Sequence, residues 1–196
     1  MNPEISAVQQ TGQSTPPKHW YVLRDLKRPN AKDPAYKVLQ GERYNLKDSL
    51  FVPMEQRVYT YAKKKVVVEV PYLTDMLFVY ESREVLDPII REIETLQYRF
   101  VRGGKQNDPM KVRDAEMTRF IDAVRKADKV EFFKPEDVPL SLYGKQIRII
   151  GGRLDGYEGR LMSKRGSKRK RLIIDLQGFL SAVFDVETDY VQVVGK

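Results

Sequence analysis

Residues 149–176, IIGGRLDGYEGRLMSKRGSKRKRLIIDL, contain glycines at Gly152, Gly156 and Gly159, followed by a dense run of basic side chains. Glycine beside positive charge suggests a phosphate-binding loop, but a dinucleotide fingerprint needs the glycine turn to lead into a helix. Here the third glycine precedes RLMSKRGSKRKR, which predicts a hairpin, and no Gly-Lys-Ser/Thr of a P-loop is present. We therefore interpret the glycines as corners between strands, where positive φ or close backbone approach is needed.

Five strand-like segments surround these glycines, joined by turn residues with no room for a helix. They are KQIRIIG, YEGRLMSK, KRLIIDL, SAVFDV and DYVQVVG. Short strands at this spacing predict a small β-barrel of SH3-like size over residues 143–196. Residues 128–142 have two prolines and no clear period, so we interpret them as a linker.

Residues 18–127 alternate strand-like and helix-like patterns. Helices are predicted to start at Asp33-Pro34 and Asp87-Pro88, where a capping aspartate precedes a proline in the first turn, and a third is predicted over 114–127. The order predicts an α+β fold, a sandwich with helices on a mainly antiparallel sheet. Residues 1–17 are polar and are predicted to form a disordered tail.

The composition limits the chemistry. The 196 residues carry a net charge of +8 with a pI of about 9.5, and residues 143–196 hold 11 Lys/Arg against 6 Asp/Glu, which favours nucleic acid as a partner. There is no cysteine and a single histidine, His19, which excludes thiol nucleophiles and multi-histidine metal sites. We expect no enzyme, cofactor or metal. No apolar run approaches the roughly 20 residues of a membrane span, so we expect no membrane partner and a cytoplasmic location.

Two sets of motifs carry a family resemblance. YGKQIRIIGGRLDGYEGRL resembles the KOW motif, which ribosomal proteins share. Upstream, WYVLR, FVPMEQ, PYLTDMLFVY and YRFVRGGKQNDPMKV resemble, in that order, the N-terminal (NGN) domain of NusG transcription elongation factors. Together the resemblance covers residues 18–196. The whole chain most resembles the specialised RfaH-like and UpxY-like antitermination paralogues of polysaccharide operons. The family usually has Pro-Gly-Tyr where this chain has Thr74-Asp75-Met76, which favours a divergent paralogue over the housekeeping factor.

The resemblance implies that the N-terminal domain bridges the clamp helices and gate loop of RNA polymerase, suppressing pausing and termination without catalysis. It assigns Tyr72, Met76, Phe78 and Phe100 to the clamp interface and Asp87, Pro88 and Ile89 to the gate-loop contact. Core packing remains the alternative for the clamp residues, and a helix cap is the alternative for Asp87-Pro88.

Basic residues are the candidates for nucleic-acid contact. Lys27 and Arg28 match positions that touch the non-template DNA strand in the family, and a solvated loop is the alternative for them. The run Lys164, Arg165, Lys168, Arg169, Lys170 and Arg171 is predicted to contact RNA, DNA or a ribosomal partner, and a solvated hairpin is the alternative. Ribosomal protein S10 and Rho are further partners implied for the second domain, although the family's aromatic residue before a glycine is displaced here to Phe179. We expect a monomer.

Two other functions compete with this one. A translation-linked or ribosomal RNA-binding KOW protein would share the second domain but would not need the first. An enzyme would have to use scattered carboxylates such as Asp185, Glu187 and Asp189, and no base or metal ligand accompanies these residues in the sequence.

Overall fold

The computed structural model describes residues 15–27, 32–100, 108–138, 143–163, 170–176 and 178–194. Its helices are α1 (Ala35–Gln40), α2 (Arg83–Glu92) and α3 (Asp114–Lys126). Its strands are β1 (His19–Asp25), β2 (Leu50–Phe51), β3 (Met54–Tyr61), β4 (Lys64–Pro71), β5 (Leu77–Glu81), β6 (Leu96–Tyr98), β7 (Lys111–Val112), β8 (Val130–Phe133), β9 (Tyr143–Ile149), β10 (Glu158–Ser163), β11 (Lys170–Leu176), β12 (Leu180–Val186) and β13 (Val191–Val193). Across these ranges, no helix has the length and apolarity that a membrane crossing requires.

The first sheet has the order β2-β5-β1-β6, with β7 also pairing with β1, and every pairing is antiparallel. Because side chains alternate along a strand, β1 serves two cores. Trp20 and Val22 pack in the cluster that contains α3, whereas Tyr21 and Leu23 pack in the cluster that contains α1 and α2. The expected α+β arrangement of helices on an antiparallel sheet is therefore confirmed.

The starts of two helices differ from the prediction. Ser82 caps α2 by accepting a hydrogen bond from the Val85 N–H, so this helix begins before Asp87 and contains Pro88 in its interior. In α1, Pro34 is the capping residue, and the Asp25 carboxylate accepts from the Ala35 N–H at 2.7 Å. The pattern of a capping aspartate followed by proline correctly predicted that both helices exist. It was wrong about the caps, because neither Asp33 nor Asp87 is the capping residue.

The second sheet is also antiparallel, with the order β13-β9-β10-β11-β12-β8. All five predicted strand segments form strands here. A sixth, β8, lies in the predicted linker and pairs with β12, with Glu131 opposite Val183. The linker prediction is wrong for Val130–Phe133, because Phe132 is buried and Phe133 packs against Ile173 and Val183.

Helix α3 lies between the two sheets. One buried cluster contains Val22 and Phe78 of the first sheet, Phe120 of α3, and Leu172 and Phe184 of the second sheet. The helix runs as predicted, with Met117, Phe120 and Ile121 buried. The two halves of the chain therefore share a hydrophobic core.

Strands β3 and β4 form a separate two-stranded ribbon, here called the ribbon. Its register runs from Met54 opposite Pro71 to Tyr61 opposite Lys64. The two turn residues, Ala62 and Lys63, have φ values of 46° and 66°. Positive φ at both central positions matches the twist of a tight hairpin, although such turns usually contain Asn-Gly.

Candidate functional site

Three of the predicted clamp-binding residues lie together, and we call Tyr72, Met76 and Phe78 the apolar patch. Phe78 is fully buried, and its ring centroid lies 6.4 Å from that of Phe179 in the second half of the chain. The Tyr72 ring lies 5.9 Å from Phe132 of β8. Met76 is 7% exposed within the same cluster. The second sheet and its loops therefore cover the apolar patch in this structure.

Phe100 does not lie with these residues. It is 48% exposed, and its ring lies 6.4 Å from that of Tyr98, which packs in the α1/α2 cluster on the other face of the sheet. The Tyr98 hydroxyl donates to Asp87 Oδ1 at 2.8 Å, so Phe100 neighbours the gate-loop candidates of α2. Sequence reasoning grouped Phe100 with Phe78, whereas the structure separates them.

We call Asp87 and Pro88 of α2, together with Phe100, the α2 surface; Pro88 and Phe100 are exposed, and Asp87 is partly exposed. Arg83 holds Asp87 through an ion pair of 3.2 Å. Burial, and next the hydrogen bond to Asp87, raise the pKa of Tyr98 well above its ordinary value, so the phenol remains a donor. Ile89 is 8% exposed and faces the core, which makes it a packing residue of the helix.

A polar contact joins α3 to the second sheet, and we call Asp122, Lys126, Arg119 and Tyr157 the latch. The Tyr157 hydroxyl donates to Asp122, and Lys126 Nζ lies 2.7 Å from the same carboxylate oxygen. The Arg119 and Lys126 cations lie 5.6 and 5.5 Å from the Tyr157 ring centroid. Lys126, followed by Tyr157, lowers the pKa of Asp122, while burial raises that of Tyr157. Each cause favours the form that makes the contact.

Two backbone donors of the glycine loop are already paired within the chain. The Gly151 N–H donates to Asp155 Oδ1 at 2.5 Å, and the Gly156 N–H donates to the Ile149 carbonyl at 2.8 Å. Gly152 and Gly156 have φ values of 68° and 77°, and a Cβ on Gly159 would overlap the Ile173 carbonyl oxygen. These are the two reasons for glycine that the corner interpretation named.

The described basic candidates make contacts within the chain. Arg171 donates to Glu131 at 3.0 Å and lies 3.0 Å from Asp185, so its guanidinium joins β8, β11 and β12. Arg171 therefore has a structural role in this sheet, and its contact with nucleic acid stays a prediction. Lys27 Nζ donates to the Asp33 carbonyl, and Lys170 is partly buried on β11. Arg28, Lys164, Arg165, Lys168 and Arg169 lie outside the described residues.

Comparison with protein families adds the decisive observation. The family model described as transcription termination factor nusG matches residues 18–121, more than half of the chain. The chain belongs to the NusG family. No curated protein gives a significant match to it. The match runs from the residue before β1 into α3, so the NusG domain includes the first sheet, the ribbon, the apolar patch and the α2 surface.

Sequence reasoning missed two features of this NusG-family chain. One is the latch, in which Tyr157 lies 35 residues from Asp122 in sequence, so that no local pattern indicated the contact. The other is the exposure of the ribbon, because the sequence indicated its two strand-like segments but not that they form an element separate from the first sheet. The three lysines between two β-branched segments were the available signal for the ribbon.

Proposed function

We propose that this NusG-family chain is a transcription elongation and antitermination factor that binds RNA polymerase through the apolar patch and the α2 surface. The observation that carries the proposal is the placement of these two surfaces on opposite faces of one antiparallel sheet. A rigid body with a contact surface on each side is suited to bridging two parts of a polymerase, the clamp helices and the gate loop.

Such a bridge needs no chemistry of its own. Pausing and termination require the clamp to open or the hybrid to distort, and a protein that binds only the closed form shifts the population toward it. Each ~1.4 kcal/mol of differential binding changes the open population about tenfold. The proposed factor therefore acts by binding alone, and we propose no catalytic residue or cofactor.

The covered patch adds a condition to this function. Phe132 and Phe179 contact Tyr72 and Phe78, so the clamp can reach the patch only after the second sheet moves aside. A binding-competent state that is only a fraction of the population weakens the apparent affinity by that fraction. We propose that the second sheet, as a KOW-type domain, regulates access to the polymerase surface.

The specialised role follows from the sequence. We propose an RfaH-like or UpxY-like factor of polysaccharide operons that works in the cytoplasm. The departure of Thr74-Asp75-Met76 from the usual Pro-Gly-Tyr of the family supports a divergent paralogue over the housekeeping factor. The alternative is a ribosome-linked RNA-binding KOW protein. Affinity purification distinguishes them, since the first retains polymerase subunits and the second retains ribosomal RNA without polymerase.

The direct test is a polymerase pull-down with paired variants. Tyr72→Ala with Met76→Ala is expected to lower polymerase binding at least tenfold, because aromatic and methionine side chains dominate interface cores. Phe179→Ala is expected to raise binding by uncovering Phe78. Ile150→Ala with Val193→Ala is the matched control, since both side chains are exposed on the second sheet. Polymerase binding of the first variant equal to wild type would remove the patch assignment.

A further inference from the structure

The ribbon is an exposed element that the proposed polymerase contacts do not use. Residues 56–69 are all exposed, and among the described residues neither β3 nor β4 pairs with any other strand. Eight-residue strands at about 3.3 Å per residue give a projection roughly 26 Å long. An isolated hairpin of this length is marginal in water, so a surface that covers it would stabilise it.

Apolar side chains lie on both faces of the ribbon. Residues opposite each other share a face, so Tyr59, Tyr61, Val66 and Val68 lie on one face and Val58 and Val67 on the other. Tyr61 is 80% exposed, Val58 62% and Val67 59%. A flat partner surface would cover only one face. Exposure of apolar groups on both faces indicates a partner with a cleft that has two walls.

The tip of the ribbon is cationic. Lys63, Lys64 and Lys65 form no ion pair with any described residue. The left-handed conformation at Ala62 and Lys63 keeps the turn short and places these consecutive lysines at the end of the projection. Arg57, lower on β3, is held by Glu55. The positive charge of the ribbon therefore increases toward its tip, the end that would enter a cleft first. This distribution favours a polyanionic partner.

We propose that the ribbon binds duplex DNA by entering its major groove. This groove is about 12 Å wide, has phosphates along both walls and admits a two-stranded β-ribbon. The lysines would reach phosphates, while the tyrosine hydroxyls and valine methyl groups meet base edges and thymine methyls. The A-form major groove of RNA is too narrow and deep for such an element. This activity goes beyond the proposed function, because it needs no polymerase.

A protein that adds a strand to the ribbon is the competing occupant. Lysines at consecutive positions at the start of β4 disfavour pairing with another edge strand. They also make the tip unsuited to an apolar protein groove. The observations therefore favour DNA, and strand addition becomes an outcome that the experiment detects.

The test measures binding of the full chain to a fluorescent duplex of two B-form turns across a salt series. Lys63→Gln with Lys64→Gln and Lys65→Gln is compared with Lys47→Gln, Lys134→Gln and Lys145→Gln, three exposed lysines elsewhere. Both variants lose the same charge. We expect the ribbon variant to bind at least tenfold more weakly. The salt slope, which is the steepness with which the logarithm of the binding constant falls with the logarithm of salt concentration, should decrease by about 2.7, at about 0.9 per phosphate contact. An equal loss in the two variants would overturn the proposal.

Tyrosine variants and other nucleic acids test the groove. Tyr59→Ser with Tyr61→Ser is expected to weaken binding severalfold without changing the salt slope, because the lost contacts are uncharged. Duplex RNA and single-stranded DNA of the same sequence are expected to bind at least tenfold more weakly. Equal binding of either would contradict groove entry, and so would retention of duplex affinity by the tyrosine variant.

The polymerase pull-down separates this proposal from the previous one. The triple ribbon variant is expected to retain polymerase and lose only DNA. If wild type binds no polymerase yet shows ribbon-dependent DNA binding, the proposed function fails and the DNA site stands. Circular dichroism and Trp20 fluorescence check folding. If the triple variant loses its native signal, the DNA affinity of the Tyr59→Ser/Tyr61→Ser variant is compared with that of wild type instead.

Discussion

Gly156 and Gly159 are close in sequence, yet they need glycine for different reasons. Gly156 has φ of 77° with open space around it, so only its backbone conformation is demanding. Gly159 would place a Cβ against the Ile173 carbonyl and the Leu172 side chain, so β10 and β11 would have to separate. The sequence spacing identified both positions but could not distinguish positive φ from close approach.

This difference predicts that Gly156 tolerates substitution and that Gly159 does not. Gly156→Asn should change the free energy of unfolding by only a few tenths of a kcal/mol, because asparagine tolerates the left-handed region. Gly159→Ala should cost about 3 kcal/mol through overpacking against backbone. Urea unfolding followed by circular dichroism measures both. Equal costs would mean that the strand contact relaxes freely and that crowding is not the reason for Gly159.

At the scale of elements, Arg171 holds β8 against the rest of the second sheet. Its side chain is 28% exposed and contacts Glu131 and Asp185 on the two neighbouring strands. Arg171→Gln is expected to destabilise the protein by about 1–2 kcal/mol, between the values for exposed and buried pairs. The adjacent Lys170→Gln loses the same charge and should change stability by less than about 0.5 kcal/mol.

Both variants should also be titrated with DNA. If Arg171→Gln unfolds like Lys170→Gln but binds DNA far more weakly, Arg171 belongs to a nucleic-acid surface and its structural role is minor. A stability loss with no extra effect on DNA affinity supports the structural role.

The elements themselves were largely predictable. Short strand-like segments separated by turn residues predicted the second-sheet strands, and helical spacing of Met117, Phe120 and Ile121 predicted α3. Strand β8 was missed because it has only four residues without a clear period and two prolines follow it, so the segment was interpreted as a linker. The start of α2 was predicted wrongly because Asp87-Pro88 is a stronger sequence pattern for a helix start than Ser82, the residue that caps the helix. The helix tolerates Pro88 in its interior because tertiary packing stabilises it.

At the scale of the whole molecule, the decisive feature was not visible in the sequence. Burial of Phe78 was one of two readings, but nothing local shows that Phe179 covers it from 101 positions further along the chain. Likewise, Phe78 and Phe100 fall on opposite faces only because of the pairings of β1 with β5 and β6. Family resemblance identifies interface candidates, whereas tertiary packing decides which of them are accessible.

The contribution of the latch to stability, through the contact between α3 and the second sheet, should depend on pH in a defined way. The pKa of Asp122 is depressed below its ordinary 3.8, so its contribution is complete above that pH and is lost as the pH falls through the depressed value. The pKa of Tyr157 is raised above 10.0, so its contribution is complete below that pH and is lost as the pH rises through the raised value. Between these limits the latch should be insensitive to pH.

Asp122→Asn should therefore lower stability at neutral pH, and its difference from wild type should shrink steadily as the pH falls below 3.8. Tyr157→Phe removes only the hydroxyl and should show a smaller loss that disappears above the raised tyrosine pKa. Urea unfolding monitored by Trp20, the single tryptophan, measures both series. A difference that persists unchanged in acid would show that Asp122 acts through α3 alone.

If the latch holds the second sheet over the apolar patch, Asp122→Asn should also bind polymerase more tightly at neutral pH, because Tyr72 and Phe78 are uncovered in a larger fraction of molecules.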